Sequence, residues 1–434
     1  MTNFIIFVLA LRVCLTIAKY SWSIILRILH PNWTQVKQDF TLEPTVSILL
    51  PCFNEGAPDV YEAIKTILGC DYPQEKFEVI ATDDCSADDS FAGIQQAARD
   101  FPGRVQARRN PQNIGKSRTL IGASKLSTSD IIIVIDSDCI FAKDTIRQLV
   151  SCFSDPKMGV VGGTVGVRNP NINALTQVQT FVYYLAFDLW KTQENWTKSV
   201  TCVGGYLLAI RRNLFETIEP KILSRNWFGV EVAEGEDRYI THHALLLGYH
   251  TYVNVAAKCW TKAPTRYPQF YKQQYRWRKS GVRDLFLSYK LLWNHIGIVH
   301  PNGIYESTVA PLTLLVFTIG ILTAPLFIPL FWLNPLTLMV TMAAGAVLHF
   351  VIARNCPDQK IKNPMTFTLF AFWWVINSFY LTVLCLLTLD FSDWGSRIEK
   401  TKKQKTIRQR KPVSISPRLI PALFRRPDVV SDGD

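Results

Sequence analysis

Three observations predict an α/β fold on a doubly wound, mixed and mostly parallel sheet, with membrane-associated segments at both ends. Short β-branched runs alternate with helical stretches between residues 45 and 135, the pattern of strand–helix–strand units. Acidic residues stand just past three of these runs, at Glu55, Asp83 and Asp136, where open α/β sheets place their ligands. Two charge-free segments, 309–333 and 335–353, follow downstream, and each is long enough to cross the hydrocarbon layer.

The first apolar stretch, 4–29, is broken by Arg12 and Lys19. It shows no small-residue cleavage site and is expected to be an N-terminal membrane anchor within residues 1–42. Arg12 near its middle is costly in lipid, so both a tilted span and a surface-lying helix stay open. Soluble character begins near Glu43. Thr45–Pro51 reads as a buried strand ending in Cys52-Phe53-Asn54-Glu55-Gly56, and a helix then runs to about Leu68. Phe77–Thr82 is a second strand, ending in Asp83-Asp84. Asp88–Arg99 is helical, Val105–Arg108 is a short strand, and Asn113-Ile114-Gly115-Lys116 opens the next helix. Ile131–Ile135 is the most apolar strand and ends at Asp136-Ser137-Asp138.

Met158–Val167 reads as a strand containing Gly162-Gly163, and 173–195 as a helix whose stripe of Tyr183, Tyr184, Phe187 and Trp190 belongs to the core. Cys202-Val203-Gly204-Gly205 permits a close backbone approach, to a ligand or to a neighbouring strand. Residues 235–248 open with Glu236 and Asp237 and become apolar, a helix N-terminus. His242 and His243 have no metal-ligand spacing and read as structural. Beyond Trp277, Arg278, Lys279 and Arg283 interleave with Leu285, Phe286 and Leu287, a basic amphipathic helix suited to the headgroup layer.

The formal net charge of +12 favours anionic partners. Phospholipid headgroups and nucleotide phosphates fit; without a zinc-finger, RNA-binding or base-reading signature, nucleic acid does not. Ten Cys without C-x-x-C pairing point to reduced thiols in a cytosolic compartment. A hydrophobic content of 48% suits a chain partly in lipid.

The chemistry lies in three motifs: Asp136-x-Asp138, Gly235-Glu236-Asp237-Arg238 and Gln273-Gln274-Tyr275-Arg276-Trp277. Two carboxylates at D-x-D spacing can hold a hard divalent cation that bridges a diphosphate. Arg276 offers a forked donor to phosphate oxygens, and Trp277 a flat face for a sugar ring. A separate carboxylate must take the proton of an acceptor hydroxyl. In this order, ahead of a membrane region, the motifs imply a sugar-nucleotide enzyme attached to a bilayer.

On these residues the chain resembles the membrane-embedded, processive family 2 glycosyltransferases, above all hyaluronan synthases and nodulation-type chitin-oligosaccharide synthases. The resemblance runs from about residue 45 to about 398. It includes Cys202-Val203-Gly204-Gly205, and Ser392-Asp393-Trp394-Gly395-Ser396-Arg397, which is similar to the gating loop of these enzymes. It implies a GT-A fold, a UDP-sugar donor, a growing polysaccharide acceptor, and Mg2+ or Mn2+ at Asp136 and Asp138. By the same resemblance Phe53, Glu55 and Asp83 hold uridine, Lys116 and Asp136 serve the nucleotide diphosphate, and Trp394 and Arg397 cover it. Asp237 is the expected base, assisted by Gln273, Arg276 and Trp277, and Cys202, Gly204, Gly205 and Trp277 face the acceptor. Tyr206 stands where these families usually carry Pro, and Glu236 where many carry Asp.

The expected organisation is a cytosolic GT-A domain at 43–270, the Q-x-x-R-W and interfacial helices at 271–308, and a transmembrane hairpin at 309–353. A basic loop and an interfacial or re-entrant helix follow at 354–389, then a gating-like loop and basic tail at 390–434. The loop 354–363 and the tail, with eight Lys or Arg between Arg397 and Lys411, both belong in the cytosol by the positive-inside rule. Residues 367–389 are therefore expected not to cross, although their length permits it. The expected location is the plasma membrane.

Overall fold

The computed structural model describes residues 21–227, 230–232, 235–284 and 381–389. Residues 21–28 form a helix, α1. The alternation then proceeds as expected through β1 (Val46–Cys52), α2 (Ala57–Leu68), β2 (Phe77–Asp83), α3 (Ser90–Asp100) and β3 (Val105–Arg109). Next come α4 (Lys116–Ser124), β4 (Ile131–Ile135), the two-residue β5 (Ile140–Phe141) and α5 (Thr145–Ser151). β4 is buried along its whole length, so its unbroken apolar run is that of a strand covered on both faces. Alternate residues serve the two faces. Ile131, Ile133 and Ile135 join the core under α2 and α3, while Ile132 and Val134 join the one beneath α4.

The second half adds β6 (Met158–Val167), α6 (Ala174–Tyr183), a π-helical turn (Tyr184–Leu189) and α7 (Trp190–Asn195). It continues with β7 (Leu207–Arg211), α8 (Arg212–Leu223), the small pair β8 (Asn226–Trp227) and β9 (Val230–Glu231), α9 (Glu236–Leu246), β10 (His250–Thr261) and α10 (Tyr267–Arg283). A short helix, α11 (Thr382–Leu387), packs on α10. The order of the eight-stranded sheet is β3-β2-β1-β4-β7-β6-β10-β5. β1 pairs in parallel with both β2 and β4. The chain winds outward on one side of β1 and returns to its other side, so the carboxyl ends of β1 and β4 form a switch point where a crevice opens.

Three features depart from the sequence reading. The expected helix at 173–195 contains the π turn, whose extra residue per turn re-aims Phe187 and Asp188. β7 and β10 were not among the expected strands. Leu-Leu-Ala-Ile-Arg reads equally as a helix start, and β10 is interrupted by register shifts at His250 and between Val253 and Lys258. β7 runs antiparallel to both β4 and β6, which makes the sheet mixed. α10 is continuous across residue 270, so the expected boundary between 270 and 271 falls inside a helix.

Among the described residues no helix is long and apolar enough to cross a membrane. The expected anchor at 4–29 is described only from residue 21. The segments 309–353 and 354–363, the first part of 367–389, and Trp394 and Arg397 with the basic tail lie outside the described residues.

Candidate active site

The crevice is built from loops that are pinned by their own polar side chains. After β1, Asn54 adopts φ +56, and its backbone N–H donates to Ser86 Oγ at 2.9 Å. Ser90 Oγ accepts from the N–H of both Glu55 and Gly56 at 2.9 Å. Phe53 and Glu55 are thereby held half-buried at the crevice edge. The next two acids share the work of holding loops. Asp83 is fully buried, lies 3.2 Å from the Arg109 guanidinium, and accepts from Ser86 N–H at 3.1 Å. Asp84 accepts from the N–H groups of Ile114 at 2.9 Å and Gly115 at 2.8 Å. Gly115 sits at φ +88, a conformation that favours glycine, and delivers Lys116 as the first residue of α4.

Lys116 is the centre of the cluster. Its Nζ lies 2.7 Å from Asp136 Oδ1 and 3.0 Å from Glu236 Oε1. Burial acts to lower the ammonium's pKa, but Asp136, Glu236 and Asp237 outweigh it and the net shift is upward. Glu236 shows the converse: burial raises it, the Lys116 charge lowers it, and the net shift is downward. The other acid of the D-x-D motif, Asp138, accepts from the Thr261 hydroxyl at 2.7 Å. Thr261 is the last residue of β10, so the far half of the sheet orients this carboxylate.

Asp237 is reached from β7. Because β7 is antiparallel, Leu207 lies opposite Ile135, and the loop before it arrives where β4 ends. Gly205 N–H donates to Asp237 Oδ2 at 3.0 Å. A Cβ on Gly205 would stand 3.3 Å from Lys116 Nζ and 3.4 Å from Asp237 Cβ, so glycine is what lets the three groups converge. Thr241 steadies the same loop: its Oγ accepts from Val203 N–H at 3.1 Å while its hydroxyl donates to Asp237 O at 2.7 Å. Asp237 does not cap its own helix. Gly235 occupies that position at φ +82, without a side-chain cap. Cys202 is half-buried, and burial pushes its thiol up to about 12. A thiol so raised is not a nucleophile at neutral pH, since that chemistry requires the thiolate.

The Q-x-x-R-W helix closes one side. Gln273 Nε2 donates to Tyr183 Oη at 3.3 Å. The Trp277 ring centre lies 5.8 Å from that of Tyr183 and 5.9 Å from that of Phe187, and Phe187 lies 4.9 Å from Tyr206. The aromatic stripe is core, as expected for Tyr183 and Tyr184, and Trp277 leans on its edge. Arg276 is half-buried on the same helix.

The structure thus joins Lys116, Asp136, Gly205 and Asp237 directly, and links Trp277 to them through Phe187 and Tyr206. Sequence reasoning missed the partner roles of Glu236, Thr241 and Thr261. Only Glu236 left a signal, its place beside Asp237. Among the described residues no group of three or more His, Cys, Asp or Glu forms a metal cage. The donor set still fits a hard cation shared with a substrate: Asp136 is 45% exposed and already faces a positive charge, and Mg2+ commonly takes one or two carboxylates plus phosphate oxygens.

The sequence profile described as "Glycosyltransferase like family 2" matches residues 44–280. The chain is 27% identical to a hyaluronan synthase of Streptococcus pyogenes, over 82% of this chain and 84% of that one. It is 27% identical to an N-acetylglucosaminyltransferase of Mesorhizobium japonicum, over 84% of each. A mannosyltransferase from Pyrobaculum calidifontis, solved in complex with GDP-Man and Mn2+, shares the fold: the TM-score is 0.55 at 18% identity, covering 88% of this chain and 98% of that one.

Proposed function

The chain belongs to glycosyltransferase family 2, and on that premise we propose that it is a processive, inverting polysaccharide synthase. It transfers a sugar from a UDP-sugar, UDP-GlcNAc with or without UDP-GlcA, to a growing β-linked polymer of hyaluronan or chitin type. It exports the product across the membrane in which it is embedded, with its catalytic domain in the cytosol. The observation that carries this reading is the direct linkage of the D-x-D carboxylate Asp136, through Lys116 and Gly205, to Asp237. The names of the relatives, a hyaluronan synthase and an N-acetylglucosaminyltransferase, support the substrate class.

Donor binding lays the uridine along Phe53, Glu55 and the floor held by Asp83. The diphosphate lies toward Lys116 and Arg276, both of which take up charge as the leaving group departs. A divalent cation held by Asp136 and Asp138, Mg2+ or Mn2+, would supply further stabilisation of that charge. The acceptor rests on Trp277 and against Cys202, Gly204 and Gly205. Asp237 takes the proton of the acceptor hydroxyl as the new C–O bond forms. The Gly205 N–H holds the carboxylate toward the crevice while the proton moves. Attack from the face opposite UDP turns an α-linked donor into a β-linked product. Trp394 and Arg397 cover the bound nucleotide in this scheme.

The test is size analysis of labelled product made by purified protein from UDP-GlcNAc, UDP-GlcA and UDP-Glc, singly and in pairs. A polymer is expected. A lipid-linked monosaccharide would make the protein a non-processive transferase acting on polyprenyl phosphate, and no transfer at all would make it an inactive scaffold.

A further inference from the structure

The carboxyl end of α10 carries a buried acid that the mechanism above does not use. Asp284 is 7% exposed and follows directly on the last helical residue. A negative charge there opposes the helix macrodipole, so α10 gains nothing from it. Its surroundings explain the placement. Asp284 Oδ2 lies 3.8 Å from Arg238 Nε and accepts from the Ser280 hydroxyl at 3.4 Å. Arg238 is the residue after Asp237. Gly235, which opens α9 at φ +82, packs so closely on α10 that a Cβ there would overlap Ser280 Oγ. Arg225 backs the same junction, with its guanidinium over the Tyr239 ring at 4.9 Å. The amino end of the helix bearing Asp237 and the carboxyl end of the helix bearing Arg276 and Trp277 therefore meet at an ionic contact whose acid is buried and whose arginine is 24% exposed.

We propose that Asp284 is a positioning residue for Asp237: together with Ser280 it clamps Arg238, and with it the first turn of α9, to the end of α10. The clamp sets the distance between the proton acceptor on one helix and the acceptor-facing residues on the other. This inference rests on the reading of Asp237 as the base.

The clamp is a charged one, and its charge depends on pH. α9 presents Arg238 and Asp237 to Asp284, the segment before β8 presents Arg225, and α10 presents Ser280. Arg283, on the same helix, is turned to the Leu389 carbonyl at 2.7 Å. Burial, aided by Asp237, raises the Asp284 carboxyl to about 6 against the pull of the two arginines. The clamp is therefore set above about pH 6 and released as the pH falls through that value. Folding disfavours the ionised form, so removing the charge should not destabilise the protein at neutral pH.

The experiment compares Asp284→Asn, Asp284→Glu and Asp237→Asn in the full-length protein, using the donor from which the wild type makes product. For Asp284→Asn, turnover at pH 7.5 is expected to fall roughly 10- to 100-fold, the scale of a misplaced catalytic group. KM for the donor and the Kd for UDP should stay within about threefold, smaller than the roughly fivefold that separates states in weak coupling. The unfolding midpoint should not drop, and the acid limb expected near pH 6 in the wild type should be absent. Asp284→Glu, which keeps the charge, should recover much of the turnover and the acid limb. Wild-type turnover with an unchanged acid limb in Asp284→Asn would overturn the proposal. So would joint loss of UDP binding and turnover in both the Asn and Glu variants, which marks a merely structural residue. If instead Asp237→Asn turns over normally, the base assignment falls first, and the clamp falls with it.

Discussion

Replacing Lys116 by Met removes the cation that Asp136, Glu236 and Asp237 share. Glu236 decides the magnitude, because only 8% of its side chain is exposed and it lies 3.0 Å from Nζ. Removing the partner of a buried charge typically costs roughly 3–5 kcal/mol. Asp136 is 45% exposed, so solvent screening limits its pair to at most about 1 kcal/mol. Met retains the apolar stem, and little packing is lost. Lys116→Met is therefore expected to lose roughly 3–5 kcal/mol, nearly all of it through Glu236. The sign with pH follows from the lowered Glu236 carboxyl. Its stabilisation is complete above the ordinary value of 4.5 and is lost as the pH falls through the depressed folded value. Thermal unfolding at pH 7.5 should show the full difference between variant and wild type, and the two should converge in acid. Because Lys116 also faces the proposed diphosphate position, UDP with Mn2+ should raise the variant's midpoint less than the wild type's. Equal midpoints without ligand would refute the argument that these carboxylates depend on Lys116.

Three further outcomes are expected. Asp237→Asn should bind UDP nearly normally and transfer about 10²-fold or more slowly, measured as UDP affinity and initial rate on the same preparation. Wild-type turnover would leave the base unassigned. Asp138→Asn should abolish transfer, and a chelator should silence the wild type until Mg2+ or Mn2+ is restored; full activity in excess chelator would remove the cation from the mechanism. Single Cys labels at Lys362 and Lys405 should both be protected in intact cells, whereas external labelling of residue 405 alone would mean that 367–389 crosses the bilayer.

The first half of the sheet was legible because its signals are local. β1, β2 and β4 are short apolar runs closed by acids, and two of the three helices between them, α2 and α4, follow Gly56 and Gly115, where the chain takes a conformation that favours glycine. The acids at the strand ends therefore announced the crevice. What each acid does was less legible. Asp83 reads as a ligand contact, yet its carboxylate is fully buried and engaged by Arg109 and Ser86, so any help it gives to uridine passes through the loop it holds. Thr261 could not be found from sequence. Its role depends on the pairing of β10 with β6, 123 positions along the chain from Asp138, and no periodicity encodes that distance.

The assembly of the site depends on the direction of β7. A five-residue strand is about 17 Å long. Had β7 run parallel to β4, the loop preceding it would have lain at the opposite edge of the sheet, about that far from Asp136. Running antiparallel, with Leu207 beside Ile135, it starts where β4 stops. Gly205 is thereby set against Lys116 and Asp237 at once. The two glycines left open a close approach to a ligand or to a strand, and neither option named the real neighbour of Gly205, the carboxylate of another helix. A side chain at Gly205 would have to displace Lys116 or Asp237 by a few tenths of an ångström, enough to disturb both the Lys116–Asp136 pair and the Asp237 carboxylate. The strand reversal and the glycine that follows from it are thus parts of one device, which brings Asp237 of α9 to the D-x-D motif that follows β4.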